Sequence, residues 1–267
     1  MTRSLLPARF YPIAADVLYF RLMIRQREIF WFWLPLFASW LLMTAEGPTI
    51  SAAINRLPNE VIMLAAQGIV VSLSVTIESP IINLLATSTA LVKDRRSYLL
   101  VRKFTIHWAV LLTAVTILIA FTPLFDLVVI GGLKAPAEVA RWVRPGLQIM
   151  TFWSAAIAWR RFLQGILIHF NQTKKVGYGT AVRLLASGGV VIGLAFWSDW
   201  PGVISGATAL MCGVVAEALY ATWAVRPLLK TELADSLDYN DEEPLTYAEL
   251  FWFHLPLAGT SLLILLA

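Results

Sequence analysis

The chain has 267 residues, 58% of them hydrophobic and only 14% charged, with a mean hydropathy of +0.71. A soluble domain of this size carries about a quarter charged residues because its surface needs them, so this composition argues against a soluble enzyme and against a disordered or collagen-like chain. At about 20 apolar residues per crossing it supplies material for six or seven membrane spans. The single cysteine, Cys212, can form neither an internal disulfide nor a Cys-rich metal site. A net charge of +4 would point to nucleic acid in a soluble protein. In a membrane protein the placement of the basic residues matters more, and no nucleic-acid partner is expected.

Residues 1–27 form a cytoplasmic or interfacial segment. Arg21, Arg25 and Arg27 interrupt any apolar core a cleavable signal would need, and an amphipathic interfacial helix is expected around Ile13 to Ile24. Six complete spans follow, over 29–54, 61–92, 104–125, 139–169, 176–197 and 203–225, and a seventh runs from 247 to 267. None shows the two-residue alternation of a membrane barrel. The chain therefore reads as an all-α polytopic membrane protein. Its organisation is a six-helix lobe (28–225), an acidic cytoplasmic loop (226–246) with Asp235, Asp238, Asp241, Glu242 and Glu243, and the start of a second lobe (247–267).

Lys and Arg set the orientation. The N-terminal segment and the even-numbered connections hold fifteen, Arg183 counted among them, against four (Arg56, Lys134, Arg141 and Arg144) on the other side. The N-terminus is expected in the cytoplasm, in a cell membrane. The Asn171-Gln172-Thr173 triplet matches a glycosylation acceptor but falls on the cytoplasmic side, which makes it a chance match.

A repeat is the most informative feature. Glu-Ile-Phe-Trp-Phe-Trp-Leu-Pro-Leu (28–36) opens the first span and Glu-Leu-Phe-Trp-Phe-His-Leu-Pro-Leu (249–257) opens the seventh. Seven of the nine positions are identical, at a spacing of 221 residues from Glu28 to Glu249. Six spans separate the copies, so both enter from the same side, as in two parallel lobes related by an axis along the membrane normal. The expectation is the front part of a protein about twice the length of this lobe.

The repeated Phe-Trp-x-x-Leu-Pro-Leu opening, the Arg161-Phe162-Leu163-Gln164-Gly165 turn, the following Thr173-Lys174-Lys175 and the Gly213-Val214-Val215-Ala216-Glu217 stretch carry a resemblance. Over residues 28 to 267 the chain resembles the multidrug/oligosaccharidyl-lipid/polysaccharide flippase (MOP) superfamily. The nearest branch is the multidrug and toxic compound extrusion (MATE) family, and some stretches look like the progressive ankylosis protein and its bacterial relatives. The resemblance implies the six-helix N-terminal lobe of a MATE-like twelve-helix transporter, with alternating access around a central cavity. The chain departs from many MATE exporters in having Glu46 rather than Asp in the first span.

An ionisable group near the bilayer centre costs at least ~3 kcal/mol on insertion scales, which makes it a functional candidate. Glu46, Glu78, Arg160, Arg161 and Glu217 meet that condition. The structural reading pairs Glu217 with one of the two arginines, and the functional reading gives the arginine pair a cavity role. Adjacent residues point about 100° apart on a helix, so the other guanidinium is left to face a cavity, where its planar fork suits a carboxylate or phosphate. Glu46 and Glu78, each beside a proline, are candidates for proton or cation binding; the alternative is a structural hydrogen bond between helices. His107, His169 and His254 are expected at cytoplasmic span ends, without metal-ligand spacing. The tryptophans form an interfacial belt, and Gly188, Gly189, Gly202, Gly206 and Gly213 close-packing faces.

No catalytic motif, metal site or cofactor site is recognised. The leading expectation is a secondary active transporter for a small amphipathic or anionic solute, coupled to a proton or sodium ion and embedded in the lipid bilayer. Flipping of a lipid-linked oligosaccharide or polysaccharide is the alternative within the superfamily. A membrane scaffold without transport is the alternative from another class, favoured if every internal charge is paired.

Overall fold

A computed structural model describes residues 26–233 and 245–266. The interfacial helix expected around Ile13 to Ile24 and most of the acidic loop lie outside those residues. The described residues contain no strand. Helix α1 (Gln26–Ile54) is the first span. The second consists of α2 (Glu60–Glu78), a 3-10 turn (Ser79–Ile81) and α3 (Leu84–Leu91). The third is α4 (Arg95–Phe121), begun by a capping box in which the Asp94 carboxylate accepts from the Ser97 N–H at 2.7 Å and the Ser97 hydroxyl accepts from the Asp94 N–H. A π-helical stretch (Asp126–Gly132) leads to the fourth span, which is split into α5 (Ala137–Ile149), a 3-10 turn (Met150–Phe152) and α6 (Trp153–His169). Then come α7 (Thr173–Trp197), α8 (Gly202–Lys230) and α9 (Tyr247–Leu266).

Five of these segments (26–54, 60–91, 95–121, 173–197 and 202–230) are by themselves long and apolar enough to cross a membrane. The fourth span is a correction to the sequence reading: a break at Met150–Phe152 divides it, so neither half reaches that length alone. The second break has a local cause. Pro80 has no N–H and its ring crowds the carbonyl of Thr76. The backbone tightens just before it, with the Ser79 N–H bonded to the Thr76 carbonyl, and α2 therefore ends at Glu78. A further correction concerns α8, which runs through Pro227 to Lys230 rather than stopping at 225. The Lys175 ammonium donates to the Ala224 carbonyl at 3.4 Å in the turn ahead of that proline.

Helix α8 is the central element: 61% of its apolar stretch is buried, against 6% for α1. It packs on α7, α6, α5, α2 and α1. The small residues expected to permit this do so. A methyl added to Gly213 would meet the Arg183 carbonyl at 3.1 Å, and Gly202 and Gly206 abut Ile54 and Gln67. Gly189 is the exception, with open space around it. The tightest approach is Gly165, where a Cβ would lie 2.5 Å from the Leu85 carbonyl of α3.

The two repeat copies share local geometry. The Ser39 hydroxyl donates to the Pro35 carbonyl at 2.8 Å, and Thr260 to the Pro256 carbonyl at 2.9 Å. The Phe30–Trp31 and Phe251–Trp252 rings both meet edge-on at 5.8 Å. Their packing differs, however: α1 lies on α7 and α8, whereas α9 lies on the break of the second span and on α3 and α4.

Two outcomes test this layout. In a Cys212→Ala background, cysteines at the exposed positions Asn59 and Asp199 are expected to react with an impermeant thiol reagent from outside, and at Arg96 and Asn171 only after permeabilisation. The reverse pattern would overturn the orientation. Gly165→Ala is expected to lower the unfolding midpoint in detergent markedly, because the obstructing atom is backbone; an unchanged midpoint would contradict the α3–α6 contact.

Candidate functional site: a buried charge network

Four helices bring two of the expected carboxylates to arginines. Glu217 on α8 is fully buried and accepts from Arg160 Nη1 on α6 at 2.7 Å, from Gln164 Nε2 one turn on at 3.0 Å, and from the Thr180 hydroxyl of α7 at 3.3 Å. The spacing of Arg160 and Gln164, four residues, puts both donors on one face of α6. Glu46 on α1 is gripped by Arg183 of α7 through Nε at 3.0 Å and Nη2 at 2.5 Å, the two-pronged geometry that a guanidinium favours with a carboxylate. Arg183 also reaches Glu217, with Nη1 at 3.8 Å. Glu46, Arg183, Glu217 and Arg160 thus form one chain of charge across the first, fifth, sixth and fourth spans.

Arg183 is the residue that the sequence reading misplaced. It was counted as a cytoplasmic charge of the loop after the fourth span, but it sits mid-helix in α7 and is 6% exposed. The signal was available: Arg183 lies seven residues inside the apolar run that begins at Val176, and should have been treated as an internal charge. The basic asymmetry survives without it.

The fifth and sixth charges are arranged differently. Glu78 ends α2 at the break, 8% exposed, and one of its oxygens, Oε2, is buried with no hydrogen-bond partner. It lies in the electrostatic field of Arg160, Arg161 and Arg183, and the Trp153 indole is next to it without a well-formed hydrogen bond. The Arg183 guanidinium stands 5.6 Å from the centre of the Trp153 ring. Arg161, next to Arg160 but pointing elsewhere, makes no ion pair among the described residues, and its Nε is buried without a partner. Arg160 is engaged in an ion pair and Arg161, about 100° further round the helix, does not share its partner.

The histidines need a correction. His107 meets the Tyr247 hydroxyl at 2.9 Å and His169 the Thr89 carbonyl at 2.8 Å. His254, expected at an interface, is fully buried against the break of the second span. Among the described residues no three or more His, Cys, Asp or Glu side chains come together as a metal-ligand group. An open apolar groove of about 450 Å³, lined by Ile106, Val110, Ala114, Phe152 and Trp159, lies between α4 and α6, away from the charge network.

No protein-family model matches the chain, and no curated protein is significantly similar to it. Solved structures are. An outward-facing multidrug-resistance MATE-family transporter of the MOP superfamily superposes with a TM-score of 0.65 at 15% identity, over 86% of this chain and 51% of that one. A MOP-superfamily transporter from Pyrococcus furiosus, described as having a binding pocket of reverse polarity that suggests a different function, superposes with a TM-score of 0.62 at 14% identity, again over 86% and 51%. The chain spans about half the length of these structures. Its fold is that of one lobe of a MATE-like transporter.

The two adjacent arginines are expected to separate in a stability measurement. Arg160→Gln leaves Glu217 short of its nearest counter-charge, a loss of about 3–5 kcal/mol for a broken buried pair, which corresponds to a fall of roughly 5–15 °C in unfolding midpoint. Arg161→Gln breaks no ion pair and is expected to shift it by less than about 3 °C. Equal losses in both variants would contradict the assignment of partners.

Proposed function

We propose that the chain supplies one lobe of a secondary active transporter that works by alternating access, exporting a small amphipathic or anionic solute in exchange for a coupling proton or sodium ion. The observation that carries this reading is the uneven pairing of the internal charges. Glu46 and Glu217 are neutralised by Arg183 and Arg160, whereas Glu78 keeps an unpartnered buried oxygen at a helix break and Arg161 makes no ion pair among the described residues. A scaffold has no use for such a pair, since leaving buried charges unsatisfied costs stability. In this reading Glu78 takes the coupling ion, because a broken helix also offers backbone carbonyls there, and Arg161 takes the anionic part of the solute. Glu46, Arg160 and Glu217, the other sequence candidates, hold the helices that present these two groups.

The flippase alternative calls for a strongly cationic cavity. Three arginines against three glutamates give this lobe no such excess, which favours solute transport.

Glu78→Gln keeps shape and hydrogen bonding but cannot titrate or take up a cation. In reconstituted protein it is expected to abolish gradient-driven transport while solute exchange and expression persist. Arg161→Gln is expected to raise the solute concentration needed for half-maximal exchange by tenfold or more, with stability unchanged. Normal gradient-driven transport by Glu78→Gln across a pH series would contradict the role of Glu78.

A further inference from the structure

The break in the second span is met by a second set of polar contacts that the charge network does not use. His254 of α9 approaches it with Nε2 2.8 Å from the Pro80 carbonyl and Nδ1 2.8 Å from the Thr87 hydroxyl of α3. The Asn83 amide donates across the same seam to the Leu257 carbonyl at 2.8 Å and the Ser261 hydroxyl at 2.6 Å. In the first repeat the positions equivalent to His254 and Ser261 are Trp33 and Trp40, both half-exposed or more and unable to make these contacts. The histidine therefore belongs to this seam and not to the repeat.

The donor and acceptor roles can be assigned. A carbonyl oxygen only accepts, so Nε2 must carry a proton, and a neutral ring then presents a bare Nδ1 to which the Thr87 hydroxyl donates. A second proton at Nδ1 reverses the sense of that bond. The Thr87 oxygen now accepts, and its hydroxyl hydrogen has another acceptor in reach, the Asn83 carbonyl at 3.2 Å. Both charge states of a fully buried imidazole are thus satisfied by one rotation of a hydroxyl. The rings of Phe104 and Trp108 lie 5.2 and 6.0 Å from the imidazole, within range for a cation.

Among the described residues no charged side chain is hydrogen-bonded to the ring, and on α9 itself Glu249 lies in the first turn. Of the elements packed on α9, α3 has no titratable residue. Helix α4 contributes His107, bonded to Tyr247, with Arg95, Arg96, Arg102 and Lys103 in its first turns. The second span contributes Glu78, two residues before Pro80. Among the described residues His254 hydrogen-bonds to Thr87 and Pro80 alone.

We propose that His254 is a proton-binding site, in which Thr87 and the Pro80 carbonyl hold the imidazolium and the added proton fastens α9 to the break of the second span. The site is independent of the transport reading: it depends on the seam and not on Glu78 or Arg161.

The chain has three histidines, so ¹⁵N-histidine NMR of the protein in lipid nanodiscs reads each ring, with His107→Gln and His169→Gln assigning the signals. At alkaline pH His254 is expected in the Nε2–H tautomer, and on acidification towards pH 5 both nitrogens become protonated with the fold retained. Thr87→Val removes the acceptor that the second N–H needs. A hydrogen bond to a charged group is worth more than one to a neutral ring, so the imidazolium-to-imidazole ratio at a given acidic pH is expected to fall about fivefold, and Thr87→Ser to restore it. An Nδ1–H tautomer at alkaline pH or a ring that stays neutral to pH 5 would overturn the proposal in the unaltered protein. So would a Thr87→Val variant with the wild-type ratio.

Discussion

The structure depends on one arginine. Arg183 enters the lobe halfway along α7 and holds Glu46 with two nitrogens while its third lies 3.8 Å from Glu217. Without a counter-charge on either side, a guanidinium at this depth would be expelled towards the interface. With both, it fixes how far α1 can slide along α7 and how α7 faces α8. This matters most for α1, whose apolar stretch is only 6% buried and whose packing is mainly on α7. A salt bridge of this kind adds little net stability over apolar packing. Its contribution is register, because lipid supplies no hydrophobic force to choose one helix alignment over another.

Once register is set, the site follows from two irregularities. Pro80 ends α2 at Glu78, and the turn at Met150–Phe152 starts a new helix, α6, just before Trp153. Helix α6 packs on α3 and abuts it at Gly165, and Trp153, Arg160 and Arg161 act on the Glu78 carboxylate. The paired residues are the rigid part of this arrangement. The unpaired ones, Glu78 at the break and Arg161 within α6, take part in no ion pair among the described residues. The same break receives α9 through His254 and Asn83, so the one proline organises both the carboxylate and the docking of the repeated helix.

Most of the fold is legible in the sequence because membrane helices announce themselves by length and apolarity. The all-α polytopic fold and most of the spans follow from residue type and apolar length, and the MATE-like architecture from the resemblance that the short repeated motifs carry. Three features do not. The 3-10 turn at Met150–Phe152 has no proline within it to announce it. His254 stands among aromatics near a span start, the ordinary setting of an interfacial histidine, and only the tertiary contact with Pro80 distinguishes it. Arg183 was hidden by a counting rule: three basic residues within ten positions look like one loop, although two lie at the helix start and the third lies two turns deeper.

The most direct measurement is a double-mutant cycle on the pair that fixes α1. Glu46→Gln, Arg183→Gln and the double variant would be compared by thermal unfolding in the same detergent. If Arg183 is held in the lobe by its carboxylates, Glu46→Gln leaves it only the longer contact to Glu217, Arg183→Gln leaves Glu46 buried without its counter-charge, and the double variant is no less stable than Arg183→Gln alone. Losses that simply add would mean that the two side chains stabilise the lobe independently, and would contradict a register set by their contact.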